Sequence, residues 1–310
     1  MTEDALLSLS RRTAEIVAAA APQVVRVEGR RRSPSSGTAW SADLVVTSHH
    51  ALDGDAEEVE IGLADGATTR AAVAGRDPST DLALLRVKGR TLAPSGLDGP
   101  GADAAAAALA PGNLVVGVSR PGRTPRAALG LVARTAGDWR GPAGGRIDRW
   151  IETTLDLHPG LSGGVALTAS GEVLGVLTSG LARGSAMVVP AETVRRVVAS
   201  LDRHGGIRRG YLGLATFPVR LPPPAATAAG QYGALLVSAV EPESPAARAG
   251  LLLGDALLAL GGVEVVDYGD LVPLLDEEKI GKPLTVKVLR AGEVREVSVT
   301  VGAREGRARS

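Results

Sequence analysis

The chain has 310 residues with 34 basic and 34 acidic side chains, so no net charge draws it toward nucleic acid or anionic lipid. It contains no cysteine, which excludes a disulfide scaffold, a thiolate metal site and a cysteine nucleophile. An apolar content of 45% excludes wholesale disorder, and the length suggests two domains at about 150 residues each.

The first residues read acidic before basic, and Arg11, Arg12 and Glu15 interrupt the apolar positions. That pattern fits neither a secretory leader nor a membrane span. Leu6, Leu7, Leu9, Ile16 and Val17 instead suggest a short amphipathic helix. The expectation is a soluble cytoplasmic chain, or a cell-envelope one if the N-terminus has been trimmed.

Short apolar runs follow, split by Gly, Pro and Asp. Strands are predicted at Val24–Glu28, 44–47, 59–63, Leu82–Val87, 114–118, 150–154, Val173–Thr178 and 186–189. This spacing points to an all-β barrel or sandwich rather than alternating βαβ units. Residues 94–110 are rich in Gly and Ala and read as a connector between two barrels. Val194, Val197, Val198 and Leu201 then recur with helical period, and Gly205-Gly206 ends that helix.

A second unit begins near Gly210. It carries predicted strands at 234–240, 284–290 and 294–301, with helix signals after Ser244-Pro245 and over 270–278. Residues 217–230, with Pro222, Pro223 and Pro224, read as an extended insertion.

Three segments carry chemistry. Thr47-Ser48-His49-His50-Ala51 ends a strand in two histidines, Asp81 stands at the mouth of an apolar strand, and Ser162 lies in the glycine-rich turn His158-Pro159-Gly160-Leu161-Ser162-Gly163-Gly164. A serine hydroxyl is a poor nucleophile until a base takes its proton. Imidazole suits that task near neutral pH, and a carboxylate on its far nitrogen fixes the tautomer. The glycines allow a sharp turn that aims N–H groups at a developing oxyanion. The order His50, Asp81, Ser162 is that of chymotrypsin-like enzymes. His49 competes with His50 as base, and motif spacing decides for His50. His158 reads as a loop residue beside the substrate channel. The four histidines, without clustered acids, give no metal site, and no cofactor is implied.

These segments resemble those of HtrA/Deg-type serine proteases, in which a trypsin-like domain precedes a PDZ domain. Asp77 to Leu85, 111–117, 171–176 and Val189-Pro190 share the resemblance, which covers roughly residues 20–303. It implies a mostly β chain: a chymotrypsin-like double β-barrel followed by a PDZ β-sandwich with two helices. The implied organisation is an N-terminal helical segment (1–22), a protease domain (23–192), a linker helix and hinge (193–209), a PDZ domain (210–303) and a disordered tail (304–310).

It further implies His50, Asp81 and Ser162 as the catalytic residues and the backbone of Gly160, Leu161 and Ser162 as the oxyanion hole. Thr178, Ser179 and Gly180 are expected along the substrate backbone, beside a pocket for a small or medium apolar side chain near Ala182, Ala186 and Met187. Tyr211, Leu212, Gly213 and Leu214 are expected as the loop that holds a peptide carboxylate, with the peptide added as a strand.

The implied activity is endoproteolysis of unfolded or damaged polypeptides by acyl-enzyme chemistry, with C-terminal peptides as partners of the PDZ domain. The alternative is a catalytically weak or inactive peptide-binding scaffold. Leu161 and Val165 depart from the family's usual Asn and Pro around the serine. A homo-oligomer is compatible with the family, but no aromatic residue precedes Trp40 to build its usual trimer contact.

Overall fold

The computed structural model describes residues 4–30, 33–54, 56–99, 101–140, 145–182, 184–206 and 208–305. The chain divides into two compact units, one ending at Gly206 and the other following it.

The first unit opens with helix α1 (Ala5–Ala20), capped by the Asp4 carboxylate, which accepts from the Leu6 N–H at 3.0 Å. Two antiparallel barrels follow. The first comprises β1 (Val24–Glu28), β2 (Ser35–Ala39), β3 (Leu44–Ser48), β4 (Glu58–Gly62), β5 (Thr68–Asp77) and β6 (Leu82–Val87). Its strands run β1-β2-β3-β6-β5-β4, and β1 pairs with β4 to close it.

Helix α2 (Gly101–Ala107) lies in the connector. The second barrel comprises β7 (Leu114–Ser119), β8 (Arg126–Ala136), β11 (Trp150–Thr153), β12 (Val165–Thr168), β13 (Val173–Thr178) and β14 (Ala186–Pro190). The short pair β9 (Trp139–Arg140) and β10 (Arg146–Ile147) stands between β8 and β11. The order is β11-β14-β13-β12-β7-β8, closed by β8 on β11.

Alternation along β1 assigns its two faces. Val25 and Val27 enter the first barrel core with Val45, Ile61 and Leu85. Val24 turns outward to meet Ile16, Val116 and Val118, so the end of α1 is sealed against the second barrel. The amphipathic pattern of α1 is used only at its C-terminal end, since Leu6 and Leu7 remain exposed. Helix α3 (Ala191–His204), read from sequence as a linker, instead packs on β5, β6, β13 and β14 and buries Val194, Val197, Val198 and Leu201.

The second unit holds β15 (Arg208–Tyr211), β16 (Leu214–Arg220), α4 (Pro223–Ala229), β17 (Gly233–Val240), α5 (Pro245–Arg248), β18 (Ala256–Leu260), β19 (Val263–Glu264), α6 (Tyr268–Leu271), β20 (Pro283–Arg290), β21 (Glu293–Thr300) and β22 (Gly302–Glu305). The main sheet runs β16-β17-β18-β20-β21, with β19 on β18, and β15 pairs separately with β22. Its core is aliphatic, from Leu235, Val237, Leu257, Val286, Val288 and Val299.

Two sequence expectations change here. The proline-rich stretch is not extended throughout. Pro222 is the N-cap of α4 and Pro223 begins it, because a fixed φ suits the first turn. Ala226 and Ala229 then pack on Ala234, Ala256 and Leu258. The single helix expected over 270–278 is broken into α6 and two 3₁₀ turns, with Pro273 in the first of them.

A buried ion pair ties this unit together. Arg290 donates from Nε to Asp255 Oδ1 at 2.6 Å and from Nη2 to Oδ2 at 2.7 Å, and the Leu252 N–H donates at 2.8 Å. Burial pushes the Asp255 carboxyl up, but the Arg290 bonds and the Leu252 N–H outweigh it and hold it below the usual carboxylate range. The resulting stability is full above the unfolded carboxylate pKa, about 4, and is lost as pH falls through the folded value. Asp255→Asn is expected to cost the second unit about 3 kcal/mol at neutral pH. Urea titrations at stepped pH will also show a flatter acid decline in the variant.

Candidate active site

The site begins with a turn in β-rich surroundings. Asp77 closes β5, and its carboxylate accepts from the Ser79 N–H at 3.0 Å and from the Ser79 and Thr80 hydroxyls. This turn delivers Asp81 in a left-handed conformation, φ 56°, which is uncommon for a residue with a Cβ. Asp81 is buried and accepts from four sources. Its carbonyl takes the His49 N–H at 3.0 Å, and its Oδ1 takes the His50 N–H at 2.9 Å. Its Oδ2 lies 2.7 Å from His50 Nδ1 and also accepts from the Thr178 hydroxyl.

A 3₁₀ turn over His49–Ala51, rather than strand alternation, separates the two histidines. His50 faces the cleft. The His49 Nδ1 is buried without a hydrogen bond, and burial lowers that residue's pKa. Nδ1 of His50 faces the carboxylate, so Nε2 is the nitrogen left for chemistry.

Ser162 sits across the cleft, nearly buried. Its hydroxyl pairs with that of Ser179 at 3.1 Å and accepts the Ser179 N–H at 3.2 Å, and no hydrogen bond joins it to His50. The turn carrying it is held by first-barrel hydroxyls. Ser35 Oγ donates to the Ser162 carbonyl at 2.7 Å, Ser36 Oγ to that of Gly160 at 2.6 Å and Thr38 Oγ1 to that of Gly163 at 2.8 Å. The Ser36 N–H reaches the Ser162 carbonyl at 3.1 Å. Contact is so close at Gly163, φ 85°, that a Cβ would stand 1.8 Å from the Ser36 carbonyl oxygen.

Ser36 also accepts the Arg120 N–H at 2.7 Å. The buried Arg120 guanidinium donates to the carbonyls of Ala21, Val24 and Arg123 at 2.6–2.8 Å, and burial lowers its pKa. Sequence reasoning missed Ser35, Ser36, Thr38 and Arg120. The run Ser35-Ser36-Gly37-Thr38 lacks apolar alternation, and the carbonyls it holds in the serine turn lie more than 120 residues away.

Of the backbone donors expected at the oxyanion, Gly160 and Ser162 N–H make no hydrogen bond within the described residues. The Leu161 N–H is taken by the His158 carbonyl at 3.1 Å and its side chain is buried in the second barrel core. The apolar residue in place of the family's Asn thus serves packing.

Thr178 is fully buried and its hydroxyl donates to Asp81, while the Gly180 N–H is taken by Thr178 Oγ1 at 2.9 Å. Ser179 remains at the cleft. His158 lines the same cleft, with Nε2 3.0 Å from Ser119 Oγ, and burial followed by nearby Arg126 lowers its pKa. Ala186 and Met187 are buried in β14. No cluster of acids and histidines among the described residues could hold a metal.

In the second unit the Leu212 carbonyl accepts from the Ala246 N–H and the Gly213 carbonyl from the Glu241 N–H, each at 2.8 Å. The N–H groups of Leu212 and Gly213 donate to no group among the described residues. Gly213 has φ 83°, and a Cβ there would meet Ser244 at 2.1 Å. Leu214 begins β16, an edge strand of the sheet. Tyr211 turns its hydroxyl to the Glu241 carboxylate.

A double barrel with a His–Asp pair and a serine in one cleft, followed by a sheet with a free edge, defines a trypsin-like peptidase domain joined to a PDZ domain. The family models agree: the trypsin-like peptidase domain matches residues 35–176 and the PDZ domain residues 210–301. A probable periplasmic serine endoprotease DegP-like from Pseudomonas fluorescens is 30% identical over 91% of this chain and 59% of its own length. Protease Do-like 1, chloroplastic, of Arabidopsis thaliana is 31% identical over 86% of this chain and 63% of its own. The chain thus spans about three fifths of the length of these relatives. The HtrA-type protease AlgW solved with a tripeptide superposes with a TM-score of 0.69 at 28% identity, covering 95% of this chain and 98% of that one. A variant of AlgW with a decapeptide gives a TM-score of 0.75 at 25% identity, covering 96% and 99%. The chain belongs to the HtrA/Deg type, a trypsin-like domain with a C-terminal PDZ domain.

Two substitutions probe the geometry. A Cβ at Gly180 would stand 2.5 Å from Asp81 Oδ2 and 2.8 Å from His50 Nδ1. Gly180→Ala is therefore expected to displace the pair, and proton NMR will show loss of the far-downfield His50 Nδ1 proton. Ser36→Ala leaves the Gly160 carbonyl and Arg120 N–H unpaired, at a cost of about 1–3 kcal/mol. Thermal unfolding will register that loss, and a fluorophosphonate probe will label Ser162 more slowly.

Proposed function

We propose that this chain is a serine endopeptidase that cleaves unfolded or damaged polypeptides through an acyl-enzyme. The observation that carries this reading is the His50–Asp81 pair at 2.7 Å facing the cleft that holds Ser162. Ser162 Oγ exchanges its Ser179 partners for His50 Nε2, which takes its proton as the oxygen attacks the scissile carbonyl. Asp81 stabilises the imidazolium while remaining ionised. The Gly160 and Ser162 N–H groups receive the oxyanion, and each such donor is worth on the order of 10²–10³ in rate. His50 then returns the proton to the leaving amine, and water completes hydrolysis by the same route.

The substrate chain pairs along Ser179 and Gly180, with Thr178 acting from behind through Asp81. The PDZ unit holds a peptide carboxylate on the Leu212 and Gly213 N–H groups while the peptide extends β16 as an added strand. Tyr211 and Leu214 frame that loop. The loop selects C-terminal or extended peptides as substrates or regulators.

Relatives named as periplasmic or chloroplastic favour a cell-envelope or organellar compartment over the cytoplasmic expectation. No helix among the described residues is long and apolar enough to cross a membrane.

Casein hydrolysis tests the reading. Ser162→Ala is expected to lower kcat by on the order of 10⁵–10⁶. Equal hydrolysis by wild type and variant would remove Ser162 as nucleophile, and hydrolysis by neither would favour the scaffold.

A further inference from the structure

The catalytic cleft is asymmetric in charge. It encloses about 290 Å³, lined on the first-barrel side by Arg30, Pro34, Ser35 and Ala51. That lies at the lower end of ligand-pocket volumes, about 300–1,000 Å³, and leaves room for a side chain or two. Among the described residues, the titratable ones on its wall are Arg30, His50 and His158, with no carboxylate. Nδ1 of His50 is occupied by Asp81, and burial, followed by Arg126, biases His158 toward its neutral form. Arg30 is exposed and makes no ion pair among the described residues. It opens the run Arg30-Arg31-Arg32, in a chain whose net charge is zero.

Arg30 shares the cleft wall with Pro34 and Ser35. Ser179 bonds the Ser162 hydroxyl, whereas Ser35 and Ser36 bond the Ser162 carbonyl. On the protease reading above, the acyl portion of the substrate follows 179–180. The leaving portion then runs toward Ser35, Pro34 and Arg30.

We propose that Arg30 forms a subsite for a carboxylate side chain, so that the enzyme favours Asp or Glu one or two residues after the scissile bond. This inference rests on the protease reading. A guanidinium recognises a carboxylate through paired N–H donors, and at an exposed position that attraction is modest and screened by salt.

The test is a pair of internally quenched peptides, amidated at the C-terminus so that no chain-end carboxylate enters. They are identical except for Asp or Arg at the two positions after the cleaved bond. Wild type is expected to favour the acidic peptide by roughly three- to tenfold in kcat/KM. The ratio should fall toward one at about 1 M salt, where the screening length is about 3 Å. Arg30→Glu should reverse it. Because the readout is a ratio within one protein, partial loss of folded enzyme does not alter it. A ratio near one in wild type, or one unchanged in Arg30→Glu, overturns the subsite while leaving the protease reading intact. If wild type cleaves neither peptide, the protease reading fails instead. Fluorescence anisotropy of the same peptides on Ser162→Ala, with and without Arg30→Glu, then decides. An acidic preference that Arg30→Glu abolishes supports the subsite, and equal binding of both peptides overturns it.

Discussion

The Asp81 carboxylate is the constraint on which the first unit turns. A buried carboxylate must be met by donors, and no single element supplies enough of them. Here the backbone N–H and imidazole of His50 come from the first barrel, and the Thr178 hydroxyl comes from the second. The charge is satisfied only when the barrels are docked and the turn built on Asp77 holds φ 56° at Asp81. Removing any one donor leaves the others to compensate in a dry environment. Orientation of the imidazole and closure of the barrel interface are therefore one requirement.

The serine turn obeys the same logic with neutral groups. Hydroxyls of β2 hold three carbonyls of the turn, and Ser36 passes the restraint on to the Arg120 backbone. Arg120 in turn gathers the carbonyls at the end of the N-terminal segment and the start of β1. Small polar residues in β2 are needed because the turn approaches to contact distance. A larger apolar side chain at Ser36 would crowd the Gly160 carbonyl and leave it and the Arg120 N–H unpaired.

The legible parts of the sequence were those where chemistry or period restricts residue type. β1, β6 and β13 lie where apolar runs put them, and His50 and Ser162 line one cleft with Asp81 bonded to His50. β2 was invisible because a strand buried on both faces by hydroxyl bonding has no hydrophobic signature. β5 was missed because exposed polar residues flank a run of small ones, and β8 because its exposed face carries Leu129 and Leu131, so apolar and polar residues do not alternate. The Thr178 contact with Asp81 spans 97 residues and leaves no local trace. α4 escaped because three prolines suggest extension, whereas the alanines that follow have a small apolar surface to cover.

The aliphatic cores have left the aromatic residues sorted by unit. Trp40, Trp139 and Trp150 all fall in the first, where the last two pack edge to face at 4.8 Å. Tyr211, Tyr232 and Tyr268 all fall in the second. The chain thus carries its own optical labels. Selective indole excitation reports on the barrels alone, and tyrosine-to-tryptophan energy transfer varies with the separation of the two units, with no dye attached.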